Sequence, residues 1–435
     1  MRARVLVLVV ALTAALSGVA GIGASEANAS TPPATPVVSG NQLIDSSTGR
    51  VFVPHGANWS SFEYACSEGW GYSVDSDTAA AASAMQSWGI NIVRIPLNEE
   101  CWLGLDPSDD YGSESGYRAA VAAWVGILNA HGIVAILDLH WSAPPGQRAL
   151  GQWPMADSQS TSFWSSVASA YSGNRSVMFD LFNEPYSIWN GNTYTFQLTW
   201  DCWENGGCQA PYVDEDQEPI VGKGSGTYTV VGMSALVAAV RTAGASQPIL
   251  LGGLDYSNNL SGWLAHEPSD PDHQLVASWH NYDGQNPDCN TTSCWNSTIL
   301  PVAASVPVMA TEFGETDGKT AWFNSFMDWA DANGIGYSPW AWTDATQTSG
   351  DDAIYSLYSG SSFAPNAPMG TAYKAHLATL QPVVFRIQPA PMTAPGFPVA
   401  SAVTSPDAAV SSNITPAELS QLLQSSRRQL RISAR

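Results

Sequence analysis

Two glutamates in this chain end apolar runs, which is where an acid with a task is found rather than a solvated surface charge. Glu184 closes F-D-L-F-N-E-P and Glu312 lies in M-A-T-E-F-G-E. Two carboxyls that face each other can divide the work at an acetal carbon. One holds a proton for the leaving oxygen, and the other stays ionised and attacks; the retaining form of this chemistry needs them about 5–5.5 Å apart. Arg94, in N-I-V-R-I-P-L, and Tyr282, in S-W-H-N-Y, offer a cation and a phenol that can keep one carboxyl ionised. Further polar or aromatic residues stand at the ends of similar runs. These are Asp138 and His140 in L-D-L-H-W, Asn183 beside Glu184, His280 beside Tyr282, and Trp340 and Trp342 in S-P-W-A-W.

For these residues to meet, the runs that carry them must be strands of one sheet. Short β-branched or aromatic segments alternate with Ala-rich or amphipathic ones. Strands are expected at Val51–Ala57, Asn91–Leu97, Ile133–His140, Val177–Glu184, Pro248–Asp255, Leu275–Tyr282, Pro307–Glu312 and Gly334–Trp340. Helices are expected at Asp77–Trp88, Ser115–His131, Ser160–Tyr171, Thr227–Ala243, Trp295–Ser305, Lys319–Asn333 and Gly370–Leu380. Segments such as I-V-A-I-L suit a parallel sheet buried on both faces. Eight strands alternating with helices predict a (β/α)₈ TIM barrel, whose active site lies at the C-terminal ends of its strands. An open doubly wound sheet is the runner-up, but no Gly-rich phosphate fingerprint follows the first strand. Residues 37–50 read as a small hairpin under the barrel.

Residues 1–29 have the basic start, apolar run and Ala-Asn-Ala end of a secretory signal peptide. The catalytic domain is then expected over 30–382. A Pro/Ala/Ser-rich tail follows over 383–435, with a short helix starting at Thr415-Pro-Ala-Glu. The six cysteines are an even set in a chain read as exported, hence disulfides; Cys202–Cys208, Cys289–Cys294 and Cys66–Cys101 is the simplest of fifteen pairings. A net charge of −22 disfavours nucleic acid and anionic membranes as partners and suits a neutral ligand. Eighteen tryptophans, more than packing usually takes, offer faces for sugar rings. An open groove lined by Trp59, Trp141 or Trp263 would support endo cleavage of a chain, and Trp189, Trp200 and Trp203 sit in a long insert between Tyr186 and Thr227. No C-x-x-C or His-rich zinc pattern and no G-x-S-x-G elbow is present, so neither a metal or other cofactor nor a serine esterase mechanism is expected. The acidic stretch Asp106–Glu114 could hold calcium but reads first as a solvated loop. A secreted, extracellular monomer acting on a neutral polysaccharide or oligosaccharide is the expectation.

The ordered set G-A-N-W-S-S-F-E, N-I-V-R-I-P, L-D-L-H, F-N-E-P, H-N-Y, T-E-F-G and W-A-W resembles the cellulase-type glycoside hydrolases of family five over roughly residues 40–380. The resemblance implies Glu184 as general acid/base and Glu312 as nucleophile. It implies Asn183 at the sugar 2-hydroxyl, with Arg94 and Tyr282 orienting Glu312. His140 and His280 would line the cleavage subsite. Trp340 would be the sugar platform, with Trp342 as its alternative if the register shifts by two. The implied activity is endo-cleavage of β-1,4-glucan. Mannan, xylan, β-1,3-glucan or exo-cleavage on the same scaffold are the alternatives, and a sugar-binding protein without turnover is a more distant one.

Overall fold

The computed structural model describes residues 32–105, 112–213, 226–284, 289–348 and 352–380. The expected signal peptide, the tail from 383 and most of the acidic 106–114 stretch lie outside them.

Eight parallel strands form one sheet, with each strand beside its sequence neighbour. They are β1 (Gly56–Asn58), β2 (Ile92–Asn98), β3 (Val134–Trp141), β4 (Val177–Asp180), β5 (Ile249–Gly252), β6 (Leu275–Tyr282), β7 (Val308–Gly314) and β8 (Gly336–Pro339). The sheet closes through a parallel bridge between His55 and Tyr337. Gly56 permits this closure, since a Cβ there would fall on the Ser338 hydroxyl and the Ile92 side chain. Among the described residues the architecture is the expected (β/α)₈ barrel.

Period-two alternation fills the barrel. Ile92, Val134, Ile136, Met178, Leu250, Val276 and Met309 form an apolar plug at the N-terminal end, covered by Leu43. Two residues further along several of these strands the inward positions turn polar, at Arg94, Asp138, Asp180, Ser278 and Thr311, all buried. Two residues along these strands thus separate a hydrophobic floor from a polar upper layer. The outer faces of the strands pack on the helices in a second, larger core.

The hairpin under the barrel is a three-stranded antiparallel sheet of Pro36–Ser39, Gln42–Asp45 and Arg50–Val51. Its third strand takes Val51, so the first barrel strand begins at Gly56 rather than at Val51. The insert after β4 holds two small hairpins and the helix Trp200–Asn205. Thr227–Thr229 belongs to one of those hairpins, pairing with Gln209–Pro211. The helix expected from Thr227 therefore starts at Met233, after Gly232. Glu99–Leu103 forms a short helix that the sequence did not announce, capped by the Asn98 side chain. Cys66–Cys101, Cys202–Cys208 and Cys289–Cys294 are joined, as the simplest pairing required.

Candidate active site

The site is organised around Arg94, which is fully buried on β2. Its Nε donates to Asp180 (2.9 Å), Nη1 to Glu312 (2.6 Å) and Asn58 (3.1 Å), and Nη2 to Asn183 (2.7 Å). Nη2 also lies 3.0 Å from Asp138. Burial alone would lower the pKa of the guanidinium. Asp138, Asp180 and Glu312 outweigh that effect and hold it charged. One cation cannot balance three buried anions. Burial accordingly pushes Asp138 and Asp180 upward against the pull of Arg94.

Glu312, 4% exposed, also accepts from the Tyr282 hydroxyl at 2.8 Å. Burial and the neighbouring Glu312 and Glu184 keep that phenol far above its usual range, so it remains a donor. Both oxygens of Glu312 are thus fixed by donors. Glu184 differs. Its side chain is 23% exposed, and its Oε1 lies 2.7 Å from His280 Nδ1, which is itself 3.5 Å from Glu312. One oxygen of each carboxyl and the imidazole nitrogen all fall within 4.8 Å of one another. Burial drives His280 down to about 3, so the ring bridging the two acids is neutral at ordinary pH.

His140 is pushed down to about 3 by burial as well. Its Nδ1 is 2.7 Å from Asp138, and its ring stacks on Trp340 with centroids 5.4 Å apart. Trp340 is half-buried at the end of β8, joined to Ala341 by a cis peptide. Trp342 does not share this position. It is 0% exposed, packs edge-on against Trp88 and lies near Tyr358 and Phe363, so it cannot serve as the alternative platform. Its backbone N–H donates to Asn58, which turns the chain away from the barrel mouth and the ring outward into the core.

Eight of the nine expected residues thus converge at one end of the barrel. Of the three tryptophans that could line an open groove, two lie in the core. Trp59 and Trp263 are buried, their indole N–H groups donating to the Ser76 and Leu251 carbonyls; Trp141 alone of the three reaches the surface. Eleven of the eighteen tryptophans are core residues. In the insert, Trp203 is buried and donates to Gly252, whereas Trp189 is exposed against Tyr194.

Three partners of the site were missed in the sequence: Asn58, Asp180 and Gln152. Asn58 and Gln152 carry no distinct signal, whereas Asp180 could have been found as a charged residue inside the apolar run V-M-F-D-L-F. Metal-ligand spacing occurs twice among the described residues, in Glu184–His280–Glu312 and in Asp283–Glu315–Asp317. The second group is engaged by the chain's own donors, from Thr316, the Phe323 N–H and Lys319.

Paired carboxyls this close at the C-terminal end of a (β/α)₈ barrel, one locked by donors and one reaching solvent, are the arrangement that defines the barrel-type glycoside hydrolases as a class. More particularly, residues 47–346 match the model of Cellulase (glycosyl hydrolase family 5), and the chain belongs to that family. It is 25% identical over 226 residues to the manganese dependent endoglucanase Eg5A of Phanerodontia chrysosporium, a match that spans 48% of each protein, so it covers about half the length of that relative. The β-glucanase SdGluc5_26A of Saccharophagus degradans superposes with a TM-score of 0.58 at 18% identity, over 83% of this chain and 98% of the other. An endocellulase of the archaeon Pyrococcus horikoshii does so at 0.57 and 16%, over 80% and 100%. At such identities the two structures speak for the fold alone.

Proposed function

We propose that the protein is a secreted endo-β-1,4-glucanase that retains anomeric configuration. Glu312 attacks the anomeric carbon while the bond to the leaving oxygen breaks and Glu184 gives that oxygen its proton. Water then attacks the glycosyl–Glu312 ester, Glu184 takes the water's proton, and Glu312 leaves as a carboxylate. The approach of both carboxyls to within 4.8 Å carries this reading, because an inverting pair needs about 6.5–9.5 Å to seat a water. The division of roles follows from surroundings. Arg94 and Tyr282 donate to both oxygens of Glu312 and aim it, as a nucleophile requires. Glu184 meets a neutral imidazole and solvent, which suits a group that must release and regain a proton. Asn183 would meet the 2-hydroxyl, His140 and His280 would line the cleaved bond, and Trp340 would underlie the sugar beside it.

The glucan is supported by the names of similar proteins, an endoglucanase and a β-glucanase also solved with cellotetraose. Export is supported by three joined disulfides, which persist in oxidising compartments. A 2-deoxy-2-fluoro cellobiosyl inactivator followed by peptide mapping tests the mechanism. Label on Glu312 is expected. Label elsewhere, or product of inverted configuration by NMR, would overturn it. Cleavage of mannan with cellulose derivatives untouched would overturn the glucan.

A further inference from the structure

The residue read as proton carrier lies just past its strand. β4 spans Val177–Asp180, and two more backbone bonds follow it, from the Leu181 N–H to the Leu250 carbonyl and from the Asn183 N–H to the Leu139 carbonyl. The segment Asn183-Glu184-Pro185 then leaves the sheet. Its three carbonyls are nonetheless all capped, each by a different neighbour. Asn183 O accepts from the Ser257 hydroxyl (2.7 Å), Glu184 O from Gln152 Nε2 (2.7 Å) and Pro185 O from the Tyr256 N–H (3.0 Å). The last two elements come from the loops after β3 and β5. The β5 loop reaches its place through three successive left-handed residues, Asp255, Tyr256 and Ser257, at φ 53°, 58° and 58°. A run of non-glycine residues in this region persists only where the surroundings impose it.

Gln152 does more than cap. It is 1% exposed, and while its Nε2 holds the Glu184 carbonyl its Oε1 accepts from Asn183 Nδ2. The Asn183 amide is thereby fixed at both ends, since its Oδ1 accepts from Arg94. The Gln152 main chain joins in, its carbonyl accepting from the Tyr186 hydroxyl at 2.8 Å. Because an amide is planar, turning Gln152 to keep one contact gives up the other.

We propose that Gln152 is a positioning residue that sets the height and direction of Glu184 at the cleaved bond through the Glu184 carbonyl and the Asn183 amide. This rests on reading Glu184 as the proton carrier. A displacement of about 1 Å at a reacting group can cost roughly 10²-fold in rate. The loss should appear where proton donation matters most.

The test compares kcat/KM on a cello-oligosaccharide, whose leaving group needs the proton, with kcat/KM on a dinitrophenyl β-cellobioside, whose leaving group does not. Gln152→Met keeps the length and removes both contacts. It should lose about 30-fold or more on the first substrate and at least about ten times less on the second, the scale being that of misplaced acid–base groups. Gln152→Glu keeps the acceptor for Asn183 but adds a carboxyl beside Glu184, and should raise the alkaline limb of the kcat/KM profile by about half a pH unit or more. A residue with only a structural role would lower thermal stability and leave the substrate ratio unmoved in both variants, and that result overturns the proposal. If Gln152→Met does not fold, the substrate ratio of Gln152→Glu, which lacks the donor to the Glu184 carbonyl, decides. Glu184→Ala on the same two substrates separates the two failures. Equal losses there would sink the proton-carrier reading together with this inference, whereas a selective loss there with none for Gln152 sinks the inference alone.

Discussion

Replacing Arg94 by lysine preserves the charge and tests whether the shape of the guanidinium is what assembles the site. Arg94 makes five polar contacts at 3.1 Å or less, to Asn58, Asp138, Asp180, Asn183 and Glu312. A lysine ammonium offers three donors from one point and no planar fork. At least two contacts must therefore go. Hydrogen bonds to charged groups are each worth about 1.5–3 kcal/mol, so the gross loss is roughly 3–6 kcal/mol. Asp138 and Asp180, already raised by burial, can answer by taking up a proton, which offsets part of it. We expect Arg94→Lys to lower the unfolding free energy by about 3 kcal/mol, near the lower end for a broken buried ion pair. The functional loss should be at least as large, because Glu312 and Asn183 both lose their guide. A fall of about 10²–10³ in kcat/KM corresponds to roughly 3–4 kcal/mol. Urea unfolding followed by tryptophan fluorescence, with kcat/KM on a cello-oligosaccharide, measures both. A variant within about 1 kcal/mol and threefold of the parent would refute the view that Arg94 acts through its geometry, since lysine leaves only its charge in place.

The two strand-eight tryptophans should separate cleanly. Trp340→Ala is expected to cost about 1.5–3 kcal/mol of apolar contact with substrate, seen as a fall of roughly ten- to a hundredfold in kcat/KM with little change in stability. Trp342→Ala should instead lower the unfolding free energy by about 3–5 kcal/mol, as for other fully buried aromatic rings. Substrate-binding loss on Trp342→Ala without destabilisation would contradict its place in the core. Stability should fall as pH rises from 5 to 8, through buried acids that the fold keeps neutral. Burial raises Glu63 from 4.5 to about 8, despite bonds from Ser60 and Ser61. The fold therefore favours the protonated form, and that contribution is full below the unfolded pKa and is lost as pH climbs through 8. Glu63→Gln should flatten this slope by up to one proton, about 1.4 kcal/mol per pH unit. Equal dependence of Tm on pH in parent and variant would exclude Glu63 as a source.

The barrel was legible because its strands are buried on both faces and so read as apolar runs, such as Val134–Leu137. Strand-end polar residues were legible for a related reason. A charge such as Arg94 or Asp138 inside such a run must lie where the barrel interior changes from plug to polar layer. The tryptophans misled. Residue type says that a ring can stack on a sugar but not whether it faces the mouth or the helices, and most of these rings face the helices. Trp340 and Trp342 differ by two in sequence and would share a face on a regular strand. β8 ends at Pro339, however, so period-two reasoning has no hold on them.

The same limit applies to the catalytic segment itself. A strand through Glu184 would have fixed that carboxyl by ladder bonds, which the pattern of apolar residues encodes. The last bond to a neighbouring strand runs from the Asn183 N–H to the Leu139 carbonyl, and from there the task passes to a glutamine 32 residues upstream and a serine 74 residues downstream of the backbone groups they cap. Neither lies in a periodic element, and each becomes a neighbour of Asn183-Glu184 only once the barrel has brought the loops after β3 and β5 to either side of β4. Such contacts are products of topology, so no spacing within one segment can reveal them. Glycine 252 leaves the one local trace of this arrangement, since a Cβ there would collide with the Ser257 hydroxyl that caps Asn183. The strained turn at Asp255–Ser257 and the buried amide of Gln152 are therefore parts of one arrangement, which supports from the loops of neighbouring strands a glutamate that lies one residue past the last ladder bond of its own.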